Sequence, residues 1–224
     1  SEYNGNDQLF HNISLFSGSY TYNVSANDTV GNVGSSARNI TLDNVTPLIV
    51  FEADTLVNNT VTKDSNLYVN WTVTESNTDS VFVVVVNDTD VVNHTYYRRF
   101  VEEANISLDH DALYTYNVSV NDTVGLVNQT ETRTYTLDTT GPLNVGGNNS
   151  NVENGNNMVL ELVTSDLTYT NNVTVELVYP NSSAINITLE NSSSTFWQTN
   201  LTAPPYGDYD LAYHMSDGLH NNYT

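Results

Sequence analysis

The chain has 224 residues, no cysteine and a formal net charge of −21. The missing cysteines exclude disulfide staples and thiol chemistry. Only 5 side chains are Lys or Arg against 26 Asp and Glu, so the clustered cations that phosphate binding needs are lacking and nucleic acid is excluded as a partner.

Read from the N-terminus, the first element is a strand in which Tyr20, Tyr22, Val24 and Ala26 alternate with Thr21, Asn23, Ser25 and Asn27. Period two predicts a strand with one buried face and one wet face. A turn follows at Asp28-Thr-Val-Gly31, then an exit strand carrying Ile40 and Leu42 and ending at Asp43 and Pro47. Next come Leu67, Val69, Trp71 and Val73, again alternating with polar residues. The run Val81 to Val86 is apolar on both faces and predicts a central strand with one face in the core and one under a neighbour. An exposed strand of that kind would be an assembly contact.

The opening phrase then returns. Tyr20 to Gly31 reads YTYNVSANDTVG, Tyr114 to Gly125 reads YTYNVSVNDTVG, and a diverged copy, YDLAYHMSD, spans Tyr209 to Asp217. The exit returns too, as Arg133 to Pro142, with Tyr135 and Leu137 in the places of Ile40 and Leu42. Self-similarity at about 95 residues marks an array of folded modules. The expected fold class is all-β, a tandem of immunoglobulin-like β-sandwich modules with about 95 residues per repeat. The expected units are residues 1–43, the C-terminal half of a module; 44–138, a complete module; and 139–224, a module lacking its last strand. Half-modules cannot bury enough apolar surface alone, so continued tandem repeats or strands from copies of the same chain are expected to complete the ends. No signal peptide, lipidation motif or apolar span is present, which predicts no membrane span in this segment.

Sequons are a second signal. About 20 Asn-x-Ser/Thr sites are present, where independent placement would give roughly 7 or 8. Candidates are Asn12, Asn23, Asn27, Asn39, Asn58, Asn70, Asn87, Asn93, Asn105, Asn117, Asn121, Asn128, Asn172, Asn186 and Asn200. Asn23, Asn27, Asn117 and Asn121 fall on the wet face of their strands, where a bulky hydrated glycan can sit. N-linked glycans are therefore expected, and with them an extracellular, cell-surface location.

The pattern Y-x-Y-x-V-x-x-x-D-x-x-G, followed by an exit strand ending L-D-x-x-x-P, resembles the immunoglobulin-like repeats of prokaryotic surface proteins. Such repeats occur in large adhesins, S-layer glycoproteins and surface filaments. The sequon density and Asn/Thr bias resemble archaeal members more than bacterial ones. Asp28 to Asn32 fits the turn fully, Leu126 departs at the Asn position, and Asp217-Gly218 departs further. The resemblance covers nearly the whole chain and implies a module type, not an activity.

In such a sandwich the B–C and F–G loops lie at the pole where the chain enters. That pole brings together linker Asp43, Glu75 after strand B and Asp122 in the F–G turn. The next module offers Asp138, Asp166 and Asp217. Oxygen ligands gathered at a joint suit calcium, and the resemblance implies calcium in linkers as well. An Asp in D-x-x-G also serves an Asx turn, and an Asp before x-x-Pro caps its own backbone. Otherwise no cofactor is expected. The histidines lack metal spacing, and no catalytic residue is supported by a motif, Glu102-Glu103 included. Tyr20, Tyr114 and Tyr209 share one register and predict core or tyrosine-corner residues. Trp197 and Tyr206 offer either packing or a sugar-stacking platform. The leading functional expectation is a non-enzymatic structural component of a glycosylated surface filament, sheath or S-layer. The alternatives are an adhesin stalk and an accessory module of a secreted polysaccharide-degrading enzyme.

Overall fold

The computed structural model describes residues 13–87, 91–98, 101–148, 152–153, 155–203, 205, 207–219 and 222–223, with the backbone alone described at 91–98 and 222–223. The described residues form strands and no helix, and therefore no helix long and apolar enough to cross a membrane. First in the chain is a hairpin of β1 (Gly18–Asn27) and β2 (Val33–Leu42), antiparallel from Gly18↔Leu42 to Asn27↔Val33. The next strands are β3 (Leu48–Phe51), β4 (Thr60–Thr62), β5 (Asn66–Thr74), β6 (Thr78–Val86) and β7 (Val91–Arg98). They are followed by β8 (Glu103–Ser107), β9 (Ala112–Asp122), β10 (Val127–Gln129) and β11 (Arg133–Leu137). One sheet has the order β3-β5-β8; the facing one runs β4-β11-β9-β6-β7, with β10 also on β9.

This is an immunoglobulin-like sandwich, and alternation builds it. In β5, Leu67, Val69 and Trp71 are buried while Tyr68, Asn70 and Thr72 are half-exposed. In β9, Tyr114, Tyr116, Val118 and Val120 point into the same core. Each fully buried large side chain contributes about 1.5–3 kcal/mol of hydrophobic stabilisation. Strand β6 sends Val81, Val83 and Val85 inward. The opposite face of Phe82, Val84 and Val86 is half-buried. Both backbone edges of β6 are closed by pairing with β7 and β9, so it presents no edge of the kind that templates aggregation.

The third group comprises β12 (Leu143–Gly146), β13 (Asn157–Ser165), β14 (Thr170–Val178), β15 (Ala184–Thr188) and β16 (Glu190–Ser193). Then come β17 (Phe196–Thr202), β18 (Asp210–Asp217) and β19 (Asn222–Tyr223). Sheets β12-β13-β17-β16 and β15-β14-β18-β19 enclose a second core around Leu160, Leu162, Val173, Val175 and Trp197. A Cβ on Gly147 would lie 2.4 Å from the Glu161 carbonyl oxygen, which explains a glycine beside the Asn144/Gly146 bulge. The two cores draw on separate stretches, Ile49 to Leu137 and Met158 to Met215.

The recurring tyrosines share one hydrogen bond. The hydroxyl of Tyr20 donates to the Phe16 carbonyl at 2.9 Å and that of Tyr114 to the His110 carbonyl at 2.6 Å. Tyr209 does the same to Pro205. Each is a tyrosine corner four residues long. Tyr114→Phe leaves the ring packed but strips the His110 carbonyl of its donor, so urea denaturation of the chain should show a loss of about 1–2 kcal/mol in the transition of the middle sandwich.

Candidate metal centres at the joints

The F–G turn is built on a divided carboxylate. Asp122 Oδ1 accepts the N–H groups of Val124 and Leu126, both at 2.9 Å. The turn closes through Gly125 at φ +92°, a left-handed conformation suited to glycine. Asp28 in the first copy uses Oδ1 the same way, with Val30 at 3.0 Å and Asn32 at 2.9 Å. Its second oxygen is taken by the Asn32 side-chain amide at 2.7 Å. Leu126 stands in that place in the second copy. There Oδ2 of Asp122 is buried with no hydrogen-bond partner, in a residue only 2% exposed. One oxygen of the aspartate makes the turn; the other makes no hydrogen bond.

At the first joint, Asp43 Oδ1 accepts the Val45 N–H at 3.0 Å and Oδ2 accepts the Asn77 side-chain amide at 2.8 Å. Glu75 Oε1 accepts the Asn77 N–H at 2.9 Å. Asp43, Glu75 and Asp122 bring carboxylate oxygens within 4.8 Å of one another. Asp138, Asp166 and Asp217 do the same at the second joint. There Asp138 is 0% exposed; the Thr168 hydroxyl donates to its Oδ2 at 2.7 Å, and its Oδ1 is buried without a hydrogen-bond partner. Asp217 Oδ1 accepts the Leu219 N–H at 2.7 Å. An all-oxygen set with three carboxylates and an orphaned buried oxygen fits a hard divalent cation of the calcium type.

The electrostatics of the two joints differ. The Val45 N–H, and after it the Asn77 amide, hold the Asp43 carboxyl below its usual range. Burial pushes the Asp138 carboxyl up, and the charges of Asp217 and Asp111 add to this against the Thr168 hydrogen bond. Burial also raises Asp166, with Asp138 and Asp217 adding to it. A carboxyl raised in the folded state binds protons more readily than in the unfolded chain, so it opposes folding at neutral pH, and the penalty lifts as pH falls toward the unfolded value of 3.8. Asp43, with its lowered value, stabilises above 3.8 and loses that contribution below it. In chelator-treated protein the Trp197 melting transition should therefore rise as pH falls from neutral toward 3.8, and Asp138→Asn should flatten that rise.

Residues with no motif complete the joints. Asp111, in the loop before β9, accepts the N–H and hydroxyl of Thr139 at 2.9 and 2.7 Å and those of Thr140 at 3.1 and 2.9 Å. Burial is the largest single influence on Asp111, but these bonds outweigh it and lower its carboxyl. The register counterpart of Asp111, 94 residues earlier, is Ser17, whose Oγ accepts the Asn44 N–H at 3.1 Å. Asn77 and Thr168 are neutral and lack a recognisable spacing; only their position two residues past each B–C carboxylate could have marked them.

Other candidates fall elsewhere. His110 sits against Asp109 at 2.6 Å in a polar loop. Glu103 accepts the Tyr68 hydroxyl at 2.7 Å; this bond is the main reason the tyrosine is pushed up to about 12. Trp197 is buried at 4% exposure and donates to the Thr164 hydroxyl, so it packs rather than forming a sugar platform; Tyr206 lies outside the described residues. Among the sequons, Asn12 and the side chain of Asn93 lie outside the described residues. Asn23, Asn27, Asn39, Asn58, Asn105, Asn172, Asn186 and Asn200 are exposed, and Asn70, Asn87, Asn117, Asn121 and Asn128 are half-buried. Asn128 donates to the Pro47 carbonyl at 2.8 Å, Asn70 to the Asp54 carboxylate at 3.0 Å, and Asn121 accepts from the Ser80 hydroxyl.

No family model matches the chain. No curated protein matches it in sequence. Among solved structures, the chain is similar to a tetra-tandem repeat in the extending region of a large adhesion protein, at 19% identity and a TM-score of 0.40. That match covers 93% of this chain and 56% of the other, so the chain spans about half its length. It is also similar to the titin I-band fragment I67–I69, at 11% identity and a TM-score of 0.49 over 92% of this chain and 71% of that one. The fibronectin(III)-like modules of Clostridium thermocellum CbhA match at 11% identity and 0.33, over 79% and 90%. The protein is of the immunoglobulin-like tandem-sandwich class.

Proposed function

We propose that the chain is a non-catalytic structural segment of a prokaryotic extracellular surface assembly: a filament, sheath or S-layer of immunoglobulin-like repeats, with N-linked glycans on its flanks. Copies of itself or continued repeats are its partners, and calcium is its joint ligand. The observation that carries this is the recurrence of one acidic triad, drawn from linker, B–C loop and F–G turn, at both joints. Calcium, when bound, supplies positive charge shared by three carboxylates. Asp43 and Asp138 lie on the connecting segments, while their partners belong to the sandwich that follows. Holding them together sets the direction in which each sandwich leaves the one before, and a polymer that bears load or forms a lattice needs defined directions.

Electron microscopy of the native surface, with site-resolved glycopeptide mapping, tests the reading. An ordered polymer containing this chain, with sugar at Asn23, Asn105 or Asn117, is the expected result. An isolated extended molecule without order would point to an adhesin stalk, and a catalytic domain in the same polypeptide to an accessory module. An intact mass for this segment equal to the bare 24.8 kDa polypeptide would remove the glycan half of the proposal.

A further inference from the structure

The two joints share a triad but not its surroundings. At the first, Asn77 lays an amide N–H on Asp43 Oδ2, Asp43 and Glu75 are only half-buried, and the preceding loop contributes the uncharged Ser17. At the second, Asp138 is 0% and Asp217 2% exposed. The counterpart of Ser17 is Asp111, a fourth carboxylate close enough for its charge to act on Asp138. The counterpart of Asn77 is Thr168, whose hydroxyl oxygen lies 2.7 Å from Asp138 Oδ2 and 3.4 Å from Asp166 Oδ2. One hydroxyl proton serves only one of those oxygens. The Thr168 oxygen can also turn a lone pair toward a cation, whereas Asn77 presents its amide nitrogen to Asp43.

We infer that the second joint is the high-affinity cation site and the first a weaker one, so that the joints fill in sequence as divalent cation rises. Affinity at oxygen sites follows the number of carboxylate charges and the rigidity of the site, and the second joint leads in both. Asp111 contributes charge while clamping Thr139 and Thr140, the two residues that follow ligand Asp138. It is thus a positioning residue for the site. Thr168 is the neutral ligand of the set. This inference rests on the calcium reading of the joints given above.

Calorimetric titration of the 224-residue chain with calcium chloride, at fixed ionic strength, tests it. Two steps are expected, the first about tenfold tighter or more. Asp138→Asn should abolish the tight step and leave the weak one; Asp43→Asn should do the reverse. Asp111→Asn removes the charge and turns one of the two clamping oxygens into an amide donor, so it should weaken the tight step about tenfold and leave the other unchanged. Loss of the tight step in Asp43→Asn, two steps of equal affinity, or no response to Asp111→Asn would overturn the ordering while leaving calcium at the joints. An absence of any calcium uptake by the wild-type chain would instead end the calcium reading, and this inference with it.

Discussion

Trp71→Ala is expected to unfold the middle sandwich while the one after it keeps its own melting transition. Trp71 is 0% exposed, on the central strand of the β3-β5-β8 sheet. Truncating a buried Trp to Ala costs about 3–5 kcal/mol, against a total stability of about 5–15 kcal/mol for an ordinary domain. The chain carries 2 tryptophans, and the second, Trp197, belongs to the other core. The substitution therefore damages one core and leaves a single tryptophan, in the other. In thermal unfolding followed by fluorescence, Trp197 should keep its wild-type midpoint, while circular dichroism loses the transition of the middle sandwich. A Trp197 midpoint that falls in step would show that the two cores unfold as one cooperative unit.

Much of this architecture is written in alternation and repetition. Leu67, Val69 and Trp71 are apolar at every second position, and that is the face the sheet buries. Tyr20, Tyr114 and Tyr209 share a register, and each closes the same four-residue corner. The strand breaks were not legible. β4 pairs parallel with β11 through Tyr135↔Thr60, a partnership across the whole module that no local pattern encodes. β10 and β11 are separated where Thr130 turns inward, its hydroxyl accepting the Val118 N–H at 3.0 Å and donating to Glu131.

The joints divide in the same way. Module topology places Asp43, Glu75 and Asp122 at one pole, and the distances show them adjacent. Asp111 reads locally as part of a polar loop because its partners, Thr139 and Thr140, lie 28 and 29 residues further on. Asn77 and Thr168 carry no charge and stand out only through the hydrogen bonds they donate to Asp43 and Asp138. The turn aspartates show that capping a turn leaves one carboxylate oxygen over. Oδ1 of Asp122 caps the turn, and Oδ2 is left over because Leu126 replaces the amide that satisfies Asp28.

Removal of calcium is expected to loosen the array without unfolding it. Each sandwich has its own apolar core, and none of the triad residues belongs to either. At the second joint the Asp111 clamp on Thr139 and Thr140 persists without a cation, so the connection is slackened rather than severed. Without positive charge, the carboxylates within 4.8 Å of one another repel, and in a partly buried setting that repulsion is poorly screened. A ligand bound only in the ordered arrangement stabilises it by about 2.7 kcal/mol at a hundred times its dissociation constant, which corresponds to roughly a hundredfold shift between fixed and splayed joints. Small-angle scattering in calcium should give a narrow distribution of end-to-end distances, and in chelator a broader one, with far-ultraviolet circular dichroism unchanged. Combining Asp43→Asn with Asp138→Asn should reproduce the broad distribution even in calcium. Identical scattering in both buffers would mean that packing and the Asp111 clamp alone fix the joints. Loss of the strand signal in chelator would mean that the cation supports the sandwiches themselves, because a ligand confined to a joint has no means of holding a core whose side chains it does not touch.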